Sequence, residues 1–347
     1  MIVKAPAVAK LFGEHAVVYG RLSVAVALDA HASADISYTQ RNELEVELPQ
    51  MGLKSTFSEA LLRTIFYRYA FRTNLQDFIS QHSSINEHLL PYATISARLL
   101  FGYGINVLGK KIIISSDIPI KKGFASSAAC STAFTTAILK HEQTYLPDGE
   151  VIEVARDGER ILHKNEGAGK IDVSTSFYGG YVSYSSANGA RKEHIDKKTD
   201  LIFIDTGPKK STAETVGHVA KLHQDRKDYV ESLFDMIERY SADGLEALKN
   251  GDFATVGSLM YKNHEALDKL GVSSEGLNRA VEIAKSNGAK GAKLSGGGGG
   301  GMAIAIAEDP KVLKALQKGG FEISTYSIDL DGAQTYIKSM ASYEYSR

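Results

Sequence analysis

KIIISSDIPIKKGFASSAACSTAFTTAILKHE, residues 111–142, holds a strand, a loop of small residues and a helix, in that order. The β-branched run 111–120 reads as the strand, KKGFA as the loop, and SSAACSTAFTTAILKHE as a helix with serine at its N-terminal end. Its centre is GFASSAAC, residues 123–130. A helix N-terminus leaves backbone N–H groups unpaired and carries a partial positive charge, and both suit a triphosphate. Gly123 permits a tight turn, and Ala125, Ser126 and Ser127 let the backbone approach phosphate oxygens closely. A serine hydroxyl there can also ligate magnesium. A plain cap with a close-packed first turn would use the same residues, so the segment has to be read in context.

Upstream, residues 2–12 have the bias of a short buried strand, and 22–38 read as a further pair of strands, with the turn-bounded GEHAVVYG between them. Apolar residues then recur at helical spacing over 57–71 and 85–101, with Pro91 marking a start or kink in the second stretch. Downstream, 149–165 has a helical pattern and FYGGYVSYSS reads as a strand. The polar segment 185–200 is either a domain connection, with a boundary near Ala190, or a hairpin loop between two strands. Beyond it LIFIDTG is a strand, 212–288 are helix-patterned, KGAKLSGGGGGGMAIAIAED is a loop between strand-like runs, and FEISTYSIDLDG closes with another strand. The expectation is two α/β domains, 1–190 and 191–347.

Composition narrows the function. The 347 residues are 43% hydrophobic and carry a net charge of −1 with no long block of like charge, so nothing marks a nucleic-acid or acidic-membrane partner. No apolar run reaches membrane-spanning length. Cys130 stands alone, which excludes an internal disulfide and fits a reducing cytoplasm. There is no GxxxxGK[ST], so the chain is not a P-loop protein. The six-glycine run 296–301 leads into a strand, whereas a dinucleotide fingerprint follows a strand and opens a helix. Six ordered glycines cost backbone entropy, which favours a loop lying against a ligand or another backbone over a free linker.

Asp172, in GAGKIDVSTSFYGG, follows a glycine-rich turn and precedes small hydroxyl residues, a setting for a carboxylate beside a substrate hydroxyl or for an ordinary turn residue. Glu159 lies on the helical stretch with His163 one turn on, a surface contact or a metal site.

Together these segments resemble the GHMP kinase superfamily, whose three motifs are matched in order by KAPAVAKLFGEHAVVYG (4–20), IPIKKGFASSAAC (118–130) and AKLSGGGGGGMAIA (292–305). GEHAVVYG, the segment NHEALDKLGVSSEGLNRAV (263–281), and GERILH followed by Asp172 and YGG resemble the mevalonate kinases in particular. The resemblance implies an α+β fold: an N-terminal ribosomal-protein-S5-like domain and a C-terminal ferredoxin-like domain with the active site between them. It implies transfer of the γ-phosphate of ATP, with Mg2+, to the 5-hydroxyl of (R)-mevalonate. Asp172 would be the catalytic carboxylate, and Glu159 with Ser127 or Ser126 the magnesium ligands. Lys122, Gly123, Phe124, Ala125, Ser126, Ser127 and Ala128, with Gly298 and Gly299, would line the phosphates. Glu14 and His15 would contact mevalonate, and Thr212 would lie near the catalytic centre. A homodimer is compatible with the resemblance.

One departure matters. The family usually reads APGK at the start of its first motif, and ungapped alignment puts Val8 where that lysine belongs. Lys10 faces the same way on a strand, displaced by roughly 6.6 Å, and is expected to substitute. Phosphomevalonate kinases, mevalonate 3-kinases and decarboxylases share the architecture. A phosphomevalonate enzyme should add basic residues at the substrate, for which Lys209 and Lys210 are candidates. A ligand-binding relative without catalysis is the alternative of a different class.

Overall fold

A computed structural model describes residues 1–119, 122–208 and 210–336. The first half builds β1 (Ile2–Phe12), a 3-10 turn (Ala16–Tyr19), β2 (Ser23–Tyr38), β3 (Leu44–Leu48), β4 (Leu53–Phe57), α1 (Glu59–Ala70), α2 (Leu75–Gln81), α3 (Leu90–Tyr103) and β5 (Lys110–Ser116). There follow α4 (Ser126–His141), α5 (Asp148–His163), α6 (Lys170–Tyr178), β6 (Tyr181–Ser185) and β7 (Gly189–Glu193). The remainder is β8 (Leu201–Asp205), α7 (Thr212–Asp225), α8 (Lys227–Asn250), α9 (Phe253–Lys269), α10 (Glu275–Ser286), β9 (Gly291–Leu294), β10 (Met302–Ile306), α11 (Pro310–Lys318), β11 (Glu322–Tyr326) and β12 (Gln334–Tyr336).

Among the described residues these strands form two sheets. The larger runs β12-β1-β2-β5-β3-β4, with β6 on β2 and β7 on β6; the smaller runs β11-β8-β10-β9. Residues 22–38 are a single long strand rather than the expected pair. Its register against β1 shifts between Pro6 and Ala7, where Pro6 has no N–H to give to the ladder and residues 29 and 30 of β2 bulge out. The polar segment after 185 is the hairpin alternative: β7 lies within it, and residue 190 falls inside that strand. The last described strand, β12, returns to pair with β1.

Three apolar cores fix the layers. One lies between the larger sheet and α1, α3, α4 and α5, and another between the smaller sheet and α7, α8, α9, α10 and α11. The third joins the halves: Ala7, Phe12, Val24 and Leu28 of β1 and β2 meet Phe203 of β8, Leu245 of α8 and Met260 of α9. Close approach at this seam is set by Gly244, where an added Cβ would stand 2.5 Å from the Phe12 ring. Beside this seam motif residues from the two halves meet across a cleft, where Glu14 pairs with Lys293, His15 reaches Gly297 and Lys122 pairs with Asp205.

Candidate active site

Strand β1 delivers Lys10 to the cleft. Its ammonium lies 2.9 Å from Asp172 Oδ1 and 3.1 Å from Oδ2. Asp172 sits in the first turn of α6, a helix where the sequence suggested only a turn. Two of the hydroxyls that hid it are tied back to the backbone, Ser174 Oγ donating to Lys170 O and Thr175 Oγ1 to Ile171 O. Val8 cannot supply the missing lysine, because its side chain packs with Ile171, Ala25 and Tyr184, and its N–H donates to Phe124 O at 3.0 Å. That packing seats the residue before Asp172, and the next residue on the same face of β1 provides the cation.

Burial works against the Lys10 charge, but Asp172, then Glu14 and Glu159, outweigh it and hold the ammonium above the ordinary lysine value. Glu159, on α5, is buried, with one oxygen 3.4 Å from His163 Nε2 and the other without a hydrogen-bond partner. The hydrogen bond to Glu159 raises the His163 pKa against the effect of partial burial. Gly169, at φ +75°, brings the turn before α6 against this carboxylate, for a Cβ there would lie 2.7 Å from Glu159 Cβ. Two placements suit a hard cation: the unpartnered Glu159 oxygen, and Ser127 in the first turn of α4. Among the described residues no cluster of three or more His, Cys, Asp or Glu forms a ready-made metal cage. A single free carboxylate oxygen is a donor that magnesium accepts, since that ion is usually held by one or two carboxylates and by substrate phosphates.

The loop before α4 is shaped for an anion. Gly123 has φ +89°, Ala125 caps the helix in the left-handed region at φ +51°, and no side chain caps the N-terminus. Ser126 Oγ lies 3.4 Å from Ser116 Oγ at the end of β5. The Phe124 ring is buried, tilted against Phe203 and edge-on to Tyr326 of the smaller sheet, so only its backbone can face a phosphate. Ala128 is fully buried, and Lys122 pairs across the cleft with Asp205.

Glu14 and His15 follow β1, and both are tethered to the third motif. Glu14 pairs with Lys293 of β9, and His15 Nε2 donates to Gly297 O at 3.0 Å. Burial lowers the His15 pKa, so the ring is neutral at neutral pH and uses its one N–H here. The glycine run closes the β9–β10 hairpin. Gly299 donates to Val272 O at 2.7 Å and accepts from Lys210 N at 3.0 Å, and a Cβ on Gly298 would stand 2.0 Å from Val272 O. These glycines thus permit contact with neighbouring backbone, and the Gly299 amide is already engaged. Thr212 opens α7 after the Ser211 cap. Its side chain, like Lys209, lies outside the described residues. Sequence reasoning missed Lys293, which reads as one residue of an apolar strand.

Residues 91–180 match the model of the GHMP kinases N terminal domain and residues 245–320 that of the GHMP kinases C terminal. Mevalonate kinase of Methanocaldococcus jannaschii is 32% identical over 327 residues, 92% of this chain and 96% of that one. The chain belongs to the mevalonate kinase family of the GHMP kinases. The crystal structure of Methanococcus jannaschii mevalonate kinase superposes on this GHMP kinase with a TM-score of 0.76 at 30% identity, covering 95% of this chain and 98% of the other. That of L. major mevalonate kinase in complex with R-mevalonate does so at 0.72 and 25%, covering 95% and 96%. The GHMP kinase fold and the kinase class expected from the motifs both hold. No helix among the described residues of the kinase is long and apolar enough to cross a membrane.

Proposed function

We propose that this kinase transfers the γ-phosphate of ATP to the 5-hydroxyl of (R)-mevalonate, with Lys10 standing in for the lysine that its relatives carry two residues earlier. The observation that carries the reading is the Lys10–Asp172 pair, a cation and a carboxylate 2.9 Å apart at the mouth of the cleft. The substrate hydroxyl binds at Asp172, which accepts its hydrogen and aims its oxygen at the γ-phosphorus. Lys10 stays protonated, because its pKa is raised, so it serves as fixed positive charge for the phosphoryl oxygens and not as a base. The backbone N–H groups of 123–128 and the uncapped end of α4 bind the phosphates.

Glu159 and Ser127 would hold magnesium, which when bound neutralises charge on the β- and γ-phosphates. Glu14 and His15 form the substrate wall, and their ties to Lys293 of β9 and to Gly297 of the glycine run keep that wall in place while the phosphates change. Lys210, bonded to Gly299, flanks the same loop.

The test is ADP release with magnesium ATP on (R)-mevalonate, 5-phosphomevalonate and homoserine, with phosphorus NMR to place the new phosphate. Turnover of mevalonate alone, with the phosphate on O5, is expected. Turnover of 5-phosphomevalonate instead would move the chain to a sister activity, and ATP binding without turnover of any alcohol would mark a ligand-binding relative.

A further inference from the structure

Lys293 has no solvent exposure at all, and Glu14, its partner, has 1%. The ammonium donates to Glu14 Oε1 and, at 2.7 Å, to Leu294 O. The other Glu14 oxygen is buried and without a partner. A buried carboxylate left by its cation attracts the nearest other cation strongly, because little solvent screens it. Lys10, on β1 four residues before Glu14, is a cation whose charge Glu14 already favours. The next residue, His15, has φ +60° and is fixed to Gly297 O, so both cleft residues after β1 hang from the strand and loop of the third motif.

We propose that Lys293 is a positioning residue for the alcohol side of the cleft: it fixes Glu14 and takes up its charge, so that Lys10 remains paired with Asp172. The inference rests on the reading of this cleft as the alcohol site. Without Lys293, Glu14 competes with Asp172 for Lys10, and both the acceptor carboxylate and the cation leave their working positions. The phosphate loop, which is held by Val8 and by the packing of Phe124 on Phe203, is unaffected.

Lys293→Met, Glu14→Gln and the double variant separate this from a purely structural role, with melting temperature, kcat and both KM values read for each. For Lys293→Met, kcat/KM for the alcohol falls about 10- to 100-fold while KM for ATP moves by less than about twofold. In the Glu14→Gln background the same Lys293 change costs less than about threefold, because no carboxylate charge is left to hold. A lowered melting temperature with unchanged kinetic constants would overturn the proposal, as would an equal loss in both backgrounds. Should Lys293→Met fail to fold, the double variant, which buries no lone charge, is compared with Glu14→Gln: matching kinetics support the role, and a further tenfold loss, roughly, refutes it. The wild type run in parallel reports on the substrate reading by itself, since its choice of alcohol does not depend on the variants.

Discussion

Lys10 and Asp172 lie 162 positions apart in sequence and meet in the cleft. Replacing Lys10 with Met should lower kcat about 100- to 1,000-fold, the usual effect of removing one stabiliser of transition-state charge. Stability should change by less than about 1 kcal/mol, since both partners retain solvent contact. ADP release and urea unfolding on the same preparation check the two halves of that statement. Gly169→Ala is the complementary case. Its φ of +75° strains any side chain and its Cβ would press on Glu159, so the variant should lose about 2 kcal/mol and need more magnesium for half-maximal rate. Unchanged magnesium dependence would separate Gly169 from the metal site. Asp172, Glu14 and Glu159 could be named as candidates from the sequence because each stands in a segment that resembles a family motif. Lys293 was not, because what makes it unusual is a buried carboxylate 279 positions away.

Among elements, α9 and β9 are joined by a histidine whose protonation state the geometry dictates. Leu294 N–H donates to His264 Nδ1 at 3.2 Å, so the ring proton is on Nε2, which donates to Asn278 Oδ1. Burial, helped by Lys293, lowers the His264 pKa from 6.5 to about 4. The fold therefore prefers the neutral ring, and the unfolded chain takes up the proton first as pH falls. This contribution is complete above the ordinary histidine value and is lost on acidification toward about pH 4, on the order of 3 kcal/mol in all. Urea unfolding at about pH 7 and about pH 4.5 should show wild type losing more stability than His264→Gln does. Equal losses would mean the ring is not buried neutral. Element types followed the sequence where periodicity was strong, as in β1, α4, α5 and β8. The β3–β4 hairpin was missed although LEVEL alternates, because five residues are too few to separate from a loop. Helix α6 was missed because its Ser and Thr residues favour turns until their hydroxyls bond back along the helix.

For the whole molecule, the seam between the sheets decides whether the cleft keeps its width. Arg21, just past the first motif, reaches Glu231 and Asp235 of α8 at 3.0 and 2.6 Å, and Gly244 lets the same helix close on Phe12. Gly244→Ala would suit a helix intrinsically, yet its methyl would collide with a fully buried ring. The expected result is a net loss of about 1–3 kcal/mol with weaker catalysis, read by calorimetry and turnover; a gain in stability would show that the seam is slack. Lys4 pairs with Gln334, so the ladder on the outer side of β1 is completed by a strand made more than three hundred residues later. On the ribosome, that side of the first strand must wait with its hydrogen-bonding groups open while the second sheet is still being synthesised. A nascent chain stalled before β12 would thus present a free strand edge to chaperones, or to other nascent chains, and the arrival of β12 is the event that seals it.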